Sequence, residues 1–133
     1  MLKRLSPKLT GGLVVLAALL GATEGHAGYT HQSASCFKNA DGSGECRGTF
    51  AGFRASPNPG DYAYFQYNST PGYVTYAFYA TYNGVFYMCA PNATLVSMWD
   101  VIQNNRGYFN ISWNASGTCT NIWINNGSYT QTF

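Results

Sequence analysis

The feature that most constrains this chain is the pair Asn83-Gly84, which stands between two runs rich in aromatic and β-branched residues. The runs are YVTYAFYATY, which begins at Tyr73, and VFYMCAP, which begins at Val85. Asn-Gly in this setting is the strongest short-range signal for a β-hairpin, because a type I′ turn requires positive φ angles at both central residues. The sequence therefore predicts a two-residue turn that fixes the register, with Tyr82 opposite Val85.

This register divides the side chains of the hairpin between two faces, because successive residues of a strand point to opposite sides. The predicted core face is the more apolar one, and its members are Val74, Tyr76, Phe78, Ala80, Tyr82, Val85, Tyr87 and Cys89. The opposite face holds Tyr73, Thr75, Ala77, Tyr79, Thr81, Phe86 and Met88. A second sheet covers only one side of a hairpin, so we expect the opposite face to expose an apolar patch unless a loop or the N-terminal segment covers it.

Most of the chain after residue 45 divides into strand-like runs separated by turn signals. The runs are 46–54, 61–68, 108–114 and 118–125, with a last edge strand expected at 129–133. Gly48 and Gly52 interrupt the first run, which indicates a bulge or a close backbone approach. About seven strands predict an all-β fold, a small disulfide-stapled antiparallel β-sandwich or barrel-like meander.

The run LVSMWDVIQ at 95–103 fits two structures. Leu95, Met98, Trp99 and Ile102 match the helical spacing, whereas the valines, the tryptophan and the isoleucine also suit a strand. Short apolar runs are not decided by periodicity. We expect a strand here, because the neighbouring segments are strand-like.

Four cysteines in a small chain predict two disulfides, and we expect the pairs Cys36–Cys46 and Cys89–Cys119. The first pair brackets a loop rich in turn-forming residues. The second closes a long loop, which the chain-entropy model values at about 3 kcal/mol. A zinc site is disfavoured, because no C-x-x-C spacing occurs and His31 is the only histidine after the N-terminal segment.

The second expected disulfide conflicts with simple alternation. Pairing 118–125 with 108–114 places Thr120, Ile122 and Ile124 opposite Trp113, Ile111 and Phe109. Cys119 then points to the polar face, whereas Cys89 points to the core. Either a β-bulge near Ser116-Gly117 re-aims Cys119, or the core face of the central hairpin is the other one.

Residues 1–27 have the features of a secretory signal peptide. A basic start with Lys3, Arg4 and Lys8 precedes the apolar run LVVLAALL at 13–20, and small residues flank the expected cleavage site after Ala27. The apolar run is shorter than the roughly 20 residues that cross a bilayer. We therefore predict one β-domain at 28–133, secreted or extracellular (periplasmic or at the cell surface in a bacterium), without membrane insertion after cleavage.

Charge in the predicted mature domain is balanced. The full chain has a formal charge of +2, but the predicted signal accounts for that excess. The cations of the domain are Lys38, Arg47, Arg54 and Arg106, and its anions are Asp41, Glu45, Asp61 and Asp100. Without a basic patch, we expect no nucleic-acid partner.

Candidate catalytic chemistry is sparse. The sequence has no G-x-S-x-G motif, and Asp61 and Asp100 are the only carboxylates that we consider for a hydrolytic pair. The segment 39–45 resembles the start of a calcium loop, but Phe50 stands where the bidentate glutamate belongs, so a tight turn is the favoured interpretation. We predict no catalytic residues, no metal and no cofactor.

Aromatic residues are the conspicuous chemical signal, with eleven Tyr and three Trp in the chain. Exposed aromatic rings suit stacking on sugars or on a partner surface. We expect a non-enzymatic module that binds a glycan or a cell-surface or matrix component, or that self-associates in a coat; a small secreted hydrolase or enzyme inhibitor is the alternative. The candidate binding residues are Tyr62, Tyr64, Tyr73, Tyr79 and Phe86.

Overall fold

A computed structural model describes residues 32–127. The strands are β1 Ala34–Lys38, β2 Gly44–Thr49, β3 Tyr62–Thr70, β4 Tyr73–Tyr82, β5 Val85–Pro91, β6 Tyr108–Trp113 and β7 Thr118–Asn125. The helices are α1 Phe50–Arg54, α2 Ala93–Ser97 and α3 Trp99–Gln103. The predicted signal at 1–27 and the predicted edge strand at 129–133 lie outside the described residues.

All seven strands belong to one sheet, in the order β1-β2-β6-β7-β5-β4-β3. The predicted all-β fold is confirmed. Five of the six strand pairings are antiparallel, as expected, but β5 and β7 run parallel through two residue pairs. The short parallel contact joins a four-stranded half, β1-β2-β6-β7, to the meander β3-β4-β5.

The central hairpin has the predicted turn and register. Asn83 and Gly84 have φ angles of 51° and 75°, the left-handed pair that a type I′ turn needs. Tyr82 lies opposite Val85, and the pairing continues without a shift to Phe78 opposite Cys89.

Burial confirms the predicted core face in the middle of this hairpin, but Val85 beside the turn is exposed although it was expected in the core, and Ala77 of the opposite face is buried. Phe78, Ala80 and Cys89 are fully buried, and Tyr87 is nearly so. On the opposite face Phe86 and Met88 are exposed. The first residues of β4 are exposed on both faces, because the strand extends beyond the core.

Phe109 of β6 is the centre of the core. Its ring lies 5.3 Å from that of Phe65 on β3 and 5.6 Å from that of Phe78 on β4, measured between centroids. Three strands separate β6 from β3 in the sheet order, so these contacts require the two halves of the sheet to fold over and face each other. Phe50 and Phe53 of α1 also pack on the Phe109 ring.

The expectation of a strand at 95–103 is wrong, because the chain there forms α2 and α3. The side chain of Asn92 caps α2 by accepting a hydrogen bond from the Leu95 amide at 2.9 Å. Leu95, Trp99 and Ile102 are buried, which is the helical set of the two alternatives. Tertiary packing of this apolar stripe against β3 and β7 outweighs the strand propensity.

The second half of the predicted strand 46–54 is also helical. Thr49 ends β2 and caps α1, since its hydroxyl oxygen accepts from the Gly52 amide at 2.9 Å. Gly48 and Gly52 show the predicted close approach, because a β-carbon on either would overlap the Ser33 carbonyl oxygen.

Both predicted disulfides, Cys36–Cys46 and Cys89–Cys119, are present. A β-bulge, the first of the two alternatives, resolves the conflict over Cys119, but it lies between Cys119 and Asn121 and not near Ser116-Gly117. Ile122 and Ile124 lie opposite Ile111 and Phe109 as predicted, but a register shift beyond Ser112 places Cys119, not Thr120, opposite Trp113. The extra residue turns Cys119 into the core, where it is fully buried.

Within the described residues, none of the helices has the length and apolar character needed to cross a membrane.

We expect Gly48→Ala to destabilise the fold by about 1–3 kcal/mol, because Gly48 has a φ angle of +143° and lies against the Ser33 carbonyl. The matched control is Gly60→Ala, where the added β-carbon meets only the Asn58 side-chain oxygen, at 3.6 Å. Urea unfolding should show the control within about 0.5 kcal/mol of the parent. Equal stabilities for both variants would contradict this account of the β1–β2 contact.

Candidate functional site

The outer face of β3, β4 and β5 carries a continuous row of aromatic rings, which we call the tyrosine ladder: Tyr62, Tyr64, Tyr79 and Phe86. Tyr62 and Tyr64 follow each other on one face of β3, with ring centroids 5.8 Å apart. Tyr64 stacks on Tyr79, its cross-strand partner on β4, at 5.1 Å. Tyr79 meets Phe86 of β5 at 6.1 Å, so the ladder crosses the whole meander.

The ladder is open to solvent. The exposed fraction is 44% for Tyr64 and 54% for Phe86, and Tyr79 between them is partly exposed. Met88 lies directly opposite Tyr79, as predicted, and is also exposed. The sequence left open whether this face is exposed or covered by a loop or the N-terminal segment. Within residues 32–127 no segment covers it, and the patch is exposed.

The ladder lies on a face without charge. Alternation along the three strands places the following side chains there: Tyr62, Tyr64, Gln66, Asn68, Thr70, Tyr73, Thr75, Ala77, Tyr79, Thr81, Phe86 and Met88. All are apolar or neutral polar.

The structure separates one candidate residue, Tyr73, from the others. Tyr73 is on the same face and 64% exposed, but it lies opposite Thr70 at the far end of β4. Tyr79 follows Tyr73 by six residue steps along the strand, which correspond to roughly 20 Å. Four of the five candidate residues therefore form one continuous row, and Tyr73 lies outside it.

Ring packing affects the acidity of the central tyrosine. Partial burial raises the pKa of the Tyr64 hydroxyl above its ordinary value of 10.0, and the neighbouring phenols of Tyr62 and Tyr79 raise it further. Tyr64 is therefore a neutral hydrogen-bond donor and acceptor at physiological pH.

Asp61 fixes the end of the site next to the Asn83 turn. Its carboxylate accepts hydrogen bonds from the Ser56 hydroxyl at 2.7 Å and from the Asn83 amide at 2.9 Å. The side chain is nearly buried and immediately precedes Tyr62. Asp61 thus ties the loop before β3 to the turn of the central hairpin.

The two carboxylates considered for hydrolysis have different environments. Asp61 makes the structural bonds just described, whereas Asp100 is exposed on α3 and accepts from Gln103 at 3.5 Å. Among the described residues, no hydrogen bond joins Asp61 to Asp100.

The segment 39–45 folds as a tight turn. The Asp41 carboxylate accepts bonds from the hydroxyl and the amide of Ser43, which lower the pKa of that carboxyl. No group of three or more His, Cys, Asp or Glu side chains suitable for a metal ion occurs in the part of the chain that the structure describes.

Sequence reasoning missed a second aromatic group, at the other end of the meander. Tyr67 stacks obliquely on Tyr76 at 5.4 Å, and Tyr76 meets Trp99 of α3. Alternation assigned Tyr76 to the core face, which is correct, but Tyr67 is exposed because β3 runs past the core.

Comparison with models of known protein families, with curated proteins and with solved structures finds no match to this chain.

The adjacent residues Phe78 and Tyr79 provide a test of the face assignment. Phe78→Ala should cost about 3–5 kcal/mol, because it empties a fully buried site. Tyr79→Ala should cost about 1 kcal/mol, the value of its lost ring contacts. Chemical denaturation measures both, and equal costs would mean that Tyr79 belongs to the core.

The raised pKa of Tyr64 predicts a loss of stability at alkaline pH. As the pH rises through 10.0, the unfolded chain ionises at this residue before the folded one, so the equilibrium shifts towards unfolding. The melting temperature of Tyr64→Phe should therefore fall less steeply above this pH than that of the parent. Parallel curves would contradict the assigned environment.

Proposed function

We propose that the protein is a non-enzymatic extracellular module that binds an uncharged glycan on the tyrosine ladder. The observation that supports this function best is the continuity of the ladder, in which four rings in mutual contact cross three strands of an exposed face. Tyrosine offers a large apolar ring together with a hydroxyl group. Sugar rings present the complementary combination of apolar C–H faces and hydroxyl edges.

Neutral polar groups next to the rings support a sugar ligand. Thr81 lies between Tyr62 and Phe86 in the cross-strand rows, and Gln66 follows Tyr64 on the same face of β3. A few placed hydroxyl and amide groups around an apolar surface are typical of ligand sites. The absence of charge from this face favours a neutral polysaccharide over an acidic one.

The contacts that order the ladder also support a role in ligand binding. The Asp61 bonds hold the Asn83 turn, and the rings of the ladder support one another through their mutual contacts. A surface that is already ordered loses less conformational entropy on binding.

Export is part of the proposal. The two disulfides support it, because such bonds form and persist mainly in oxidising compartments such as the extracellular space or the periplasm. The sequence features of 1–27 supply the expected route. In that setting the module would attach its carrier, or a coat built from it, to a glycan-bearing surface or matrix.

Binding to insoluble neutral polysaccharides tests this function. Cellulose, chitin and a β-1,3-glucan are the probes, with alginate as an anionic control. We expect the exported protein to bind at least one neutral probe, and Tyr64→Ala and Tyr79→Ala to reduce that affinity about tenfold each, because each variant loses one stacking ring.

The control variant is Trp123→Ala. Trp123 is an aromatic residue that is more exposed than Tyr64 or Tyr79, but it lies on β7 and packs on Tyr108 instead of on the ladder. Binding should be unchanged in this variant. Equal losses in all three variants, or retention on alginate alone, would contradict the proposed site.

The hydrolase alternative gives a different result on the same probes. A hydrolytic role for Asp100 predicts release of soluble sugars that Asp100→Asn abolishes. We expect no release by the parent protein, and binding by Asp100→Asn equal to that of the parent.

A further inference from the structure

The meander ends in a ribbon that projects beyond the core. Residues 67–74, which comprise the end of β3, the turn at Pro71-Gly72 and the start of β4, are all exposed. Tyr67 and Val74 belong to the core side of this ribbon, and each is 48% exposed. A two-stranded hairpin without packing on either face is marginally stable in water, so this ribbon lacks the support that the rest of the sheet has.

β3 is also the last strand of the sheet among residues 32–127, and its own sequence lacks the features that usually protect an edge. The strand pairs with β4 through nine residues without a register shift. Its sequence, YAYFQYNST, contains no charge and no proline. Natural edge strands are commonly blunted by lysine, proline, a bulge or a short length, because their free amides and carbonyls otherwise pair with another strand.

Other described segments leave most of this edge free. One hydrogen bond from outside the β3–β4 pair reaches a backbone atom of β3 among residues 32–127, and it comes from the indole of Trp99 to the Gln66 carbonyl at 2.9 Å. The outer part of β3, from Tyr67 to Thr70, has no such bond. By contrast β1, at the other end of the sheet, is only five residues long and ends in Lys38.

We propose that the outer part of β3 pairs antiparallel with the same strand of a second copy of this chain. A two-fold axis places each side chain of the strand opposite the partner's side chains near the same position. Like charges in such a pairing would repel, and this strand has none. The pairing supplies partners for the free backbone groups and places Tyr67 beside the partner's strand.

Of the possible partners for this edge, we favour a second copy of the chain. An uncharged strand pairs with an identical strand without charge repulsion. A charged peptide would find no opposite charge along β3. The dimer also extends the outer face of the meander into one continuous surface, so the two tyrosine ladders lie on the same side of the joined sheets.

Sedimentation equilibrium of the exported protein tests the proposal. We expect a monomer–dimer equilibrium at micromolar concentrations. Asn68→Lys combined with Ser69→Lys places positive charges next to their symmetry mates on both faces of the edge, and should weaken the dimer at least tenfold. Asn68 and Ser69 are exposed, so the monomer fold should remain, and an unchanged near-ultraviolet circular dichroism spectrum would show this.

Two single lysine variants are the matched controls. Thr75→Lys introduces a charge on the same face as Asn68, but one strand away from the edge. Phe86→Lys introduces a charge in the tyrosine ladder. Both should dimerise like the parent, whereas Phe86→Lys should lose glycan binding, which separates this proposal from the proposed function.

Three results would overturn the proposal. The first is a parent protein that is monomeric at every concentration. The second is a dimer that survives the double lysine substitution in β3. The third is a dimer lost in Phe86→Lys but kept in the double variant, since that result would place the contact on the ladder face instead of the edge.

Discussion

The fold depends on a small junction between β5 and β7. Two parallel residue pairs, Ala90 with Thr118 and Pro91 with Cys119, are the only strand pairing between the two halves of the sheet in the described chain. The disulfide Cys89–Cys119 crosses the same point and closes a loop with a sequence separation of 30, which is worth about 3 kcal/mol. Phe109 packs on the meander only if the two halves of the sheet face each other. The β5–β7 junction is the point at which the sheet folds.

The same junction decides which aromatic residues are available to a ligand. Because Cys89 must point towards Cys119, the face of the central hairpin that includes Phe78 is turned inward. Alternation then turns Tyr79 and Phe86 outward, together with their neighbours on β3. The exposure of the ladder therefore follows from the side of the hairpin on which the Cys89–Cys119 disulfide places Cys89. A slip of one residue in the hairpin would bury Tyr79 and expose Phe78.

Local signals made much of this structure predictable. Asn83-Gly84 determined the turn and the register, and alternation from that turn placed Tyr79 and Phe86 on the outer face, together with Tyr73, which lies outside the ladder. Tyr62 and Tyr64 were expected nearby from the alternation of β3, but their register against β4 was not predicted. The helices were missed because their determinants are side-chain caps, at Thr49 and Asn92, and burial against distant strands. The parallel junction and the exposure of Tyr67 depend on where the sheet folds and where its core ends, and local patterns do not encode either.

The two ends of the meander differ in physical support, and this difference separates the two proposed roles. At the Asn83 turn, Asp61 and the inner core hold the strands, so the ladder there is supported from beneath, as the proposed binding surface requires. At the Pro71 turn the strands extend without packing, so that end gains most from a partner strand. Pairing at the ribbons would leave both ladders free on one joined surface. A repetitive polysaccharide would then bind two ladders at once, and the second contact would form at a high effective concentration, which raises avidity without any new interaction at either site.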